Sequence, residues 1–180
     1  MERNLALIAL FAALIAALGM VPKFTLAFGV PITAQSMGVM LCGTVLGARR
    51  GALAVLLFLA LVALGLPLLA GGRGGLGAFA TPSVGFLIGF PVSAFVTGLI
   101  VERWRASLAA VAAVASIVGG VFVLYAFGVV GMSVMLDKSI PQSALLVTAF
   151  IPGDVIKAIL AGLITAGLAK SRPSSVLSRG

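Results

Sequence analysis

Six apolar stretches, each bounded by charges or by clusters of Pro and Gly, run through the chain at about residues 4–21, 33–48, 51–69, 82–101, 106–131 and 152–170. A bilayer core takes about 20 apolar residues per helix, and lipid offers no partner to an unpaired backbone group, so such stretches are constrained to become transmembrane helices. Composition removes the soluble alternative. Of 180 residues, 62% are hydrophobic and 9% charged, more apolar surface than a soluble core of this length absorbs. The expectation is an all-α integral membrane protein, a bundle of six transmembrane helices forming one domain over residues 1–180. The first stretch follows Arg3 and has small residues near its end at Ala17 and Gly19, as a signal peptide would. A retained first helix is the preferred reading, because the rest of the chain also stays in the membrane.

Two stretches depart from a plain span. The second is short and carries Thr33, Gln35, Ser36 and Thr44, which lipid cannot satisfy, so it should face other helices or a cavity. Between residues 140 and 169 the apolar run is too long for one span and is broken by Pro152 and Gly153. Proline suits the first turn of a helix, so the last span is placed from Pro152, preceded by a short re-entrant or interfacial helix over residues 142–150.

The formal charge is +8, but the basic residues sit at the ends of apolar runs, where they meet headgroups; this argues against a nucleic-acid partner and for membrane lipid. With both termini in the cytoplasm, Arg3, Arg49, Arg50, Arg103, Arg105, Lys170, Arg172 and Arg179 fall inside and Lys23, Arg73 and Lys138 outside. The single cysteine, Cys42, and the absence of histidine exclude an intramolecular disulfide and a Cys/His metal cluster. No GxxxxGK[ST] phosphate loop and no Ser/His/Asp set occurs, so neither ATP hydrolysis by that loop nor triad catalysis is expected, and no catalytic, metal or cofactor site is assigned.

Asp154 and Lys157 are the one acid and one base placed inside apolar helix sequence. Each costs roughly 2.5 to 3.5 kcal/mol in lipid, so both should point into the bundle. Three residues apart, they share a helix face, and Asp154 lies in the first turn, where the helix dipole favours a negative charge. A carboxylate accepting N–H groups beside an ammonium donating to a carbonyl matches the polar pattern of a cyclic urea. The competing reading is a self-satisfied ion pair that ties the helix end to its neighbours. In the loop Gly71-Gly72-Arg73-Gly74-Gly75, backbone N–H groups at Gly72 and Gly74, helped by Arg73, can hold a carboxylate; the alternative is a flexible connector. Ala9, Ala13 and Ala17 recur every fourth residue on the first helix and permit close approach of another helix, inside the bundle or from a partner subunit. Glu102, beside Arg103, Trp104 and Arg105, reads as an interfacial anchor; Tyr125, within the fifth span, either hydrogen-bonds in the cavity or packs, and packing is the preferred reading.

Several segments resemble the BioY family, the biotin-specific S components of energy-coupling-factor transporters. Val30-Pro31-Ile32-Thr33-Ala34-Gln35 is similar to the segment leading into the family's second helix, and Gly47-Ala48-Arg49-Arg50-Gly51 to its turn before the third. Gly65-Leu66-Pro67 with Ala70-Gly71-Gly72-Arg73-Gly74-Gly75-Leu76 resembles its external glycine loop, and Pro152-Gly153-Asp154 with Lys157 its last-helix motif. One stretch departs: where the family commonly shows Gly-Pro-Thr-Gly-Gly-Tyr, this chain reads Thr81-Pro82-Ser83-Val84-Gly85-Phe86, which replaces the aromatic hydroxyl with a plain ring.

The resemblance implies a six-helix subunit that captures biotin outside the cell and works with a transmembrane coupling protein and two ATPases. By matching position, Asp154 and Lys157 would hold the ureido ring; Thr33 and Gln35 cluster with them on the outer side as further binding residues, and the ring of Phe86 could pack on an apolar surface of the ligand. The loop at Gly72, Arg73 and Gly74 would cover the ligand, and Ala9, Ala13 and Ala17 would dock on the coupling protein. Another vitamin, or a scaffold without transport, are the alternatives.

Overall fold

The computed structural model describes residues 2–27 and 29–179 and is almost wholly helical. Helix α1 spans Glu2–Leu18 and stops at Gly19, where a Cβ would lie 2.6 Å from the Leu68 carbonyl oxygen. Close backbone contact at that point requires glycine. Two short antiparallel strands, β1 Phe24–Thr25 and β2 Pro31–Ile32, follow; they depart from the all-helical expectation by a hairpin of two residues per strand.

Helix α2, Gln35–Leu46, has only 12 residues, and every one except Met37 is buried. It is the central post, packed against α1 and against α3 (Ala48–Ala63), α4 (Val84–Arg103) and α8 (Ile151–Ser171). Enclosure by protein explains how it carries polar residues at membrane depth. Gly47, at φ 85°, turns the chain from α2 into α3, and Glu102 Oε1 accepts the Ala48 N–H at 2.9 Å. Glu102, expected as an interfacial anchor, thus caps a helix start more than fifty residues away, because the first turn of α3 has no intrahelical partner for that N–H.

The fifth span is longer than expected. α5 (Leu108–Ile117), a π-helical turn (Val118–Val123) and α6 (Leu124–Leu136) form one rod of 29 residues. The wide turn falls on Gly119 and Gly120, whose missing side chains let the rod press against α4 and α2: a Cβ at Gly119 would strike Thr97 and one at Gly120 would strike Met40. Asp137, in the left-handed conformation, ends the rod.

A short helix, α7 (Ile140–Val147), opens with a Ser139/Gln142 capping box and passes through a 3-10 turn (Thr148–Phe150) into α8. Pro152 sits in the first turn of α8, as expected, because its missing N–H is free there in any case.

Among the described residues, counting α5–α6 and α7–α8 as single members, six helical members make up the bundle. Three of them, α4, α5–α6 and α7–α8, are long and apolar enough by themselves to cross a membrane. Their outward faces carry large exposed apolar side chains such as Ile88, Phe122, Val134, Ile159 and Leu163, which suits lipid contact. At one end of the bundle lie the ends of α2 and α4, the start of α3 and the chain's last residues. There Ser178 Oγ donates to the Thr44 carbonyl, and Arg179 donates to the Trp104 carbonyl at 2.8 Å. At the other end lie the end of α1 and the starts of α2, α4 and α8.

Candidate functional site

The starts of α2, α4 and α8 converge on a chamber of about 60 Å³, room for a few waters. Val30, Pro31, Ile32, Leu69, Leu87, Phe90 and Leu124 supply much of its apolar wall. Its polar groups come from four places: Thr33, Gln35 and Ser36 at and just before the start of α2, Arg73 from a hairpin after α3, Ser83 just before α4, and Asp154 and Lys157 from the first two turns of α8.

Asp154 is the hub. Its Oδ1 accepts from Lys157 Nζ at 2.8 Å and from Ser36 Oγ at 3.1 Å, and its Oδ2 accepts from the Tyr125 hydroxyl at 2.7 Å. Lys157 uses all three of its N–H bonds, on Asp154, on Ser36 Oγ at 3.1 Å and on the Thr33 carbonyl oxygen at 2.6 Å. The ion pair is therefore internally satisfied and also lines a chamber, so the two readings of this pair are compatible. Oδ2 accepts a single bond, which leaves it capacity for one more donor.

For Tyr125 the sequence leaves a hydrogen bond in the cavity or simple packing, with packing preferred; the structure shows both. Its ring does pack, edge-on to Phe86 and Phe150 with centroids 6.4 Å from each. Its hydroxyl, however, is a ligand of the carboxylate, because a buried phenol requires a partner and α6 passes α8 at that height. Phe86 lies 5.7 Å from Phe150, and both line the chamber that holds the acid. The hydroxyl missing at Phe86 has a counterpart on the neighbouring ring, and a sole tyrosine amid apolar helix sequence was the signal for it. Ser36, expected to face other helices or a cavity, reaches both the chamber and the acid, and Ser83 and Phe150, for which the sequence gives no such signal, also line the chamber.

Gln35 lines the chamber, but its amide is occupied by backbone. Nε2 donates to the Ile15 carbonyl at 3.1 Å and the Leu68 carbonyl at 3.0 Å, and Oε1 accepts the Ala70 N–H at 3.0 Å. It ties α1 and the Arg73 hairpin to α2.

That hairpin pairs Leu69 with Arg73 through a turn at Gly71 and Gly72, whose φ angles of 81° and 70° favour glycine. The Ala70 carbonyl accepts from Lys23 Nζ and from Arg73 Nε, both at 3.3 Å. Among the described residues none accepts from the terminal nitrogens of Arg73, although the residue lines the chamber. Partial burial lowers its guanidinium from the ordinary value by stripping solvent from the charge.

Gly72 and Gly74 do not line the chamber. Gly72 borders an outer groove, and a Cβ at Gly74 would lie 2.2 Å from the Leu66 carbonyl oxygen, so glycine there serves packing of the loop. On α1, Ala9, Ala13 and Ala17 face outward, while Phe11, Ala12 and Ile15 turn in. The three basic residues assigned to the minority side, Lys23, Arg73 and Lys138, lie at the chamber end, and the eight others at or near the opposite end.

Fold and chamber together define an integral membrane helical bundle with a polar site between the starts of α2, α4 and α8. The model of the BioY family matches residues 2–174. The chain is 54% identical to the biotin transporter BioY of Rhodobacter capsulatus, with all of both chains covered. It is 52% identical to that of Rhizobium etli over 90% of each chain. A crystal structure of the S-component for biotin from an ECF-type ABC transporter superposes with a TM-score of 0.90 and 31% identity, covering 97% of this chain and 96% of that one. The chain belongs to the BioY family.

Proposed function

We propose that this chain is the biotin-capturing subunit of an ATP-driven uptake transporter, a binding protein rather than an enzyme. The observation that carries the reading is the hub at Asp154: a buried carboxylate held by three donors in a chamber walled in part by aromatic rings, with a lysine beside it. Oδ2 has room for a ring N–H, and a ureido carbonyl gains the Lys157 ammonium by replacing one of its three present acceptors. The aromatic rings at Phe86 and Phe150 match the apolar faces of a bicyclic ring.

The arginine-rich end opposite the chamber supports a cytoplasmic location for both termini, and with it a chamber that opens outward. α7 then sits near the outer surface as an interfacial helix, and residues 1–180 work as one unit. The outward alanine face of α1 supplies a smooth surface for a transmembrane coupling protein, which would link this subunit to its ATPases.

Calorimetric titration of the purified protein with biotin tests the reading. Tight binding is expected, and it should fall sharply in Asp154→Asn and in Lys157→Met. Unchanged affinity in both variants would remove the site.

A further inference from the structure

Ser83 immediately precedes α4 and lines the same chamber as Asp154, Lys157 and Arg73. The residue is 5% exposed, and among the described residues its Oγ has no hydrogen-bond partner. An unpaired buried hydroxyl is unfavourable, and α4 gains nothing from it, since Ser83 makes no side-chain cap. Only its backbone carbonyl is used, accepting the Leu87 N–H at 3.1 Å. An unpaired hydroxyl on a residue that lines a chamber can turn to bond what the chamber holds.

Phe86, three residues further along, packs on Tyr125 and Phe150, and the Tyr125 hydroxyl holds Asp154. At a helix rise of 1.5 Å per residue, Ser83 stands about 4.5 Å closer to the start of α4 than Phe86 does. Lys157 already spends its three N–H bonds on protein acceptors. The chamber wall therefore offers two unfilled kinds of donor: the Ser83 hydroxyl and the terminal nitrogens of Arg73. A hydroxyl and a guanidinium together suit a carboxylate.

We infer that the Ser83 hydroxyl donates a hydrogen bond to the carboxylate of the bound ligand beside Arg73, and so selects the acid over its neutral analogues. This rests on the chamber being the biotin site.

The test compares wild type, Ser83→Ala and Ser83→Thr in titrations with biotin and with biotinol, in which an alcohol replaces the carboxylate. Ser83→Ala should bind biotin roughly tenfold more weakly and biotinol as well as wild type does. Ser83→Thr should keep its affinity for biotin to within roughly threefold. The ligand-free melting temperature of Ser83→Ala should stay level or rise, because no bond is lost; a merely structural serine would lower it. Ser83→Cys, close in volume and a weak donor, should reproduce the biotin-selective loss if the alanine variant cannot be purified. Full biotin affinity in Ser83→Ala, or an equal loss for both ligands, overturns the inference while leaving the chamber assignment standing. Failure of wild type itself to bind biotin overturns both.

Discussion

The hydroxyl of Tyr125 donates to Oδ2 of Asp154 at 2.7 Å and so joins α6 to the first turn of α8. Tyr125→Phe keeps the ring and its packing on Phe86 and Phe150 but removes one of three donors to a buried carboxylate. The expected loss of stability is about 1.5 to 3 kcal/mol, the usual range for a bond to a charged group, with a weaker grip on biotin. Thermal melting and titration of the same preparation check both.

Removing Lys157 should cost more than removing both members of the pair. Lys157→Met leaves Asp154 without its cation, a change worth about 3 to 5 kcal/mol at a buried pair. Adding Asp154→Asn to it removes the stranded charge and should recover part of the loss. A double-mutant cycle by thermal unfolding measures the coupling, and a double variant less stable than Lys157→Met would contradict the pairing.

Gln35→Leu cuts three hydrogen bonds that hold α1 and the hairpin to α2. The hairpin should loosen without loss of the fold. Hydrogen exchange should quicken first at the Ala70 amide, with biotin affinity falling alongside. Protection at Ala70 equal to wild type would show that Lys23 and Arg73 hold the loop without Gln35.

Gly98→Ala tests the crossing of α4 over the α2–α3 turn. A Cβ at Gly98 would lie 2.3 Å from the Ala48 nitrogen, and backbone cannot yield as a flexible side chain can. Overpacking of this kind costs about 1 to 3 kcal/mol, seen as a lowered melting temperature.

Ala13→Phe places a bulky ring on the outward face of α1. Biotin binding by the isolated subunit should be unchanged, because Ala13 is exposed and far from the chamber. Co-purification with the coupling protein should be lost. Intact assembly would move the docking surface elsewhere.

The membrane class, the helical members, the start of the last helix near Pro152 and the inward placement of Asp154 and Lys157 were legible in the sequence. Each follows from local physics: lipid demands apolar runs with paired backbones, proline favours a first turn, and charges three residues apart share a face. The π-helical turn at Gly119 and Gly120, the cap of α3 by Glu102, the carboxylate bond of Tyr125 and the occupation of the Gln35 amide were decided by tertiary structure. All of these depend on which helices meet, and at what height. Helices that are apolar on every side carry no periodicity that separates a lipid-facing side from a partner-facing one. Ser36 and Asp154 are brought within 3.1 Å across 118 positions of chain by the packing of α2 against α8, which no local pattern encodes.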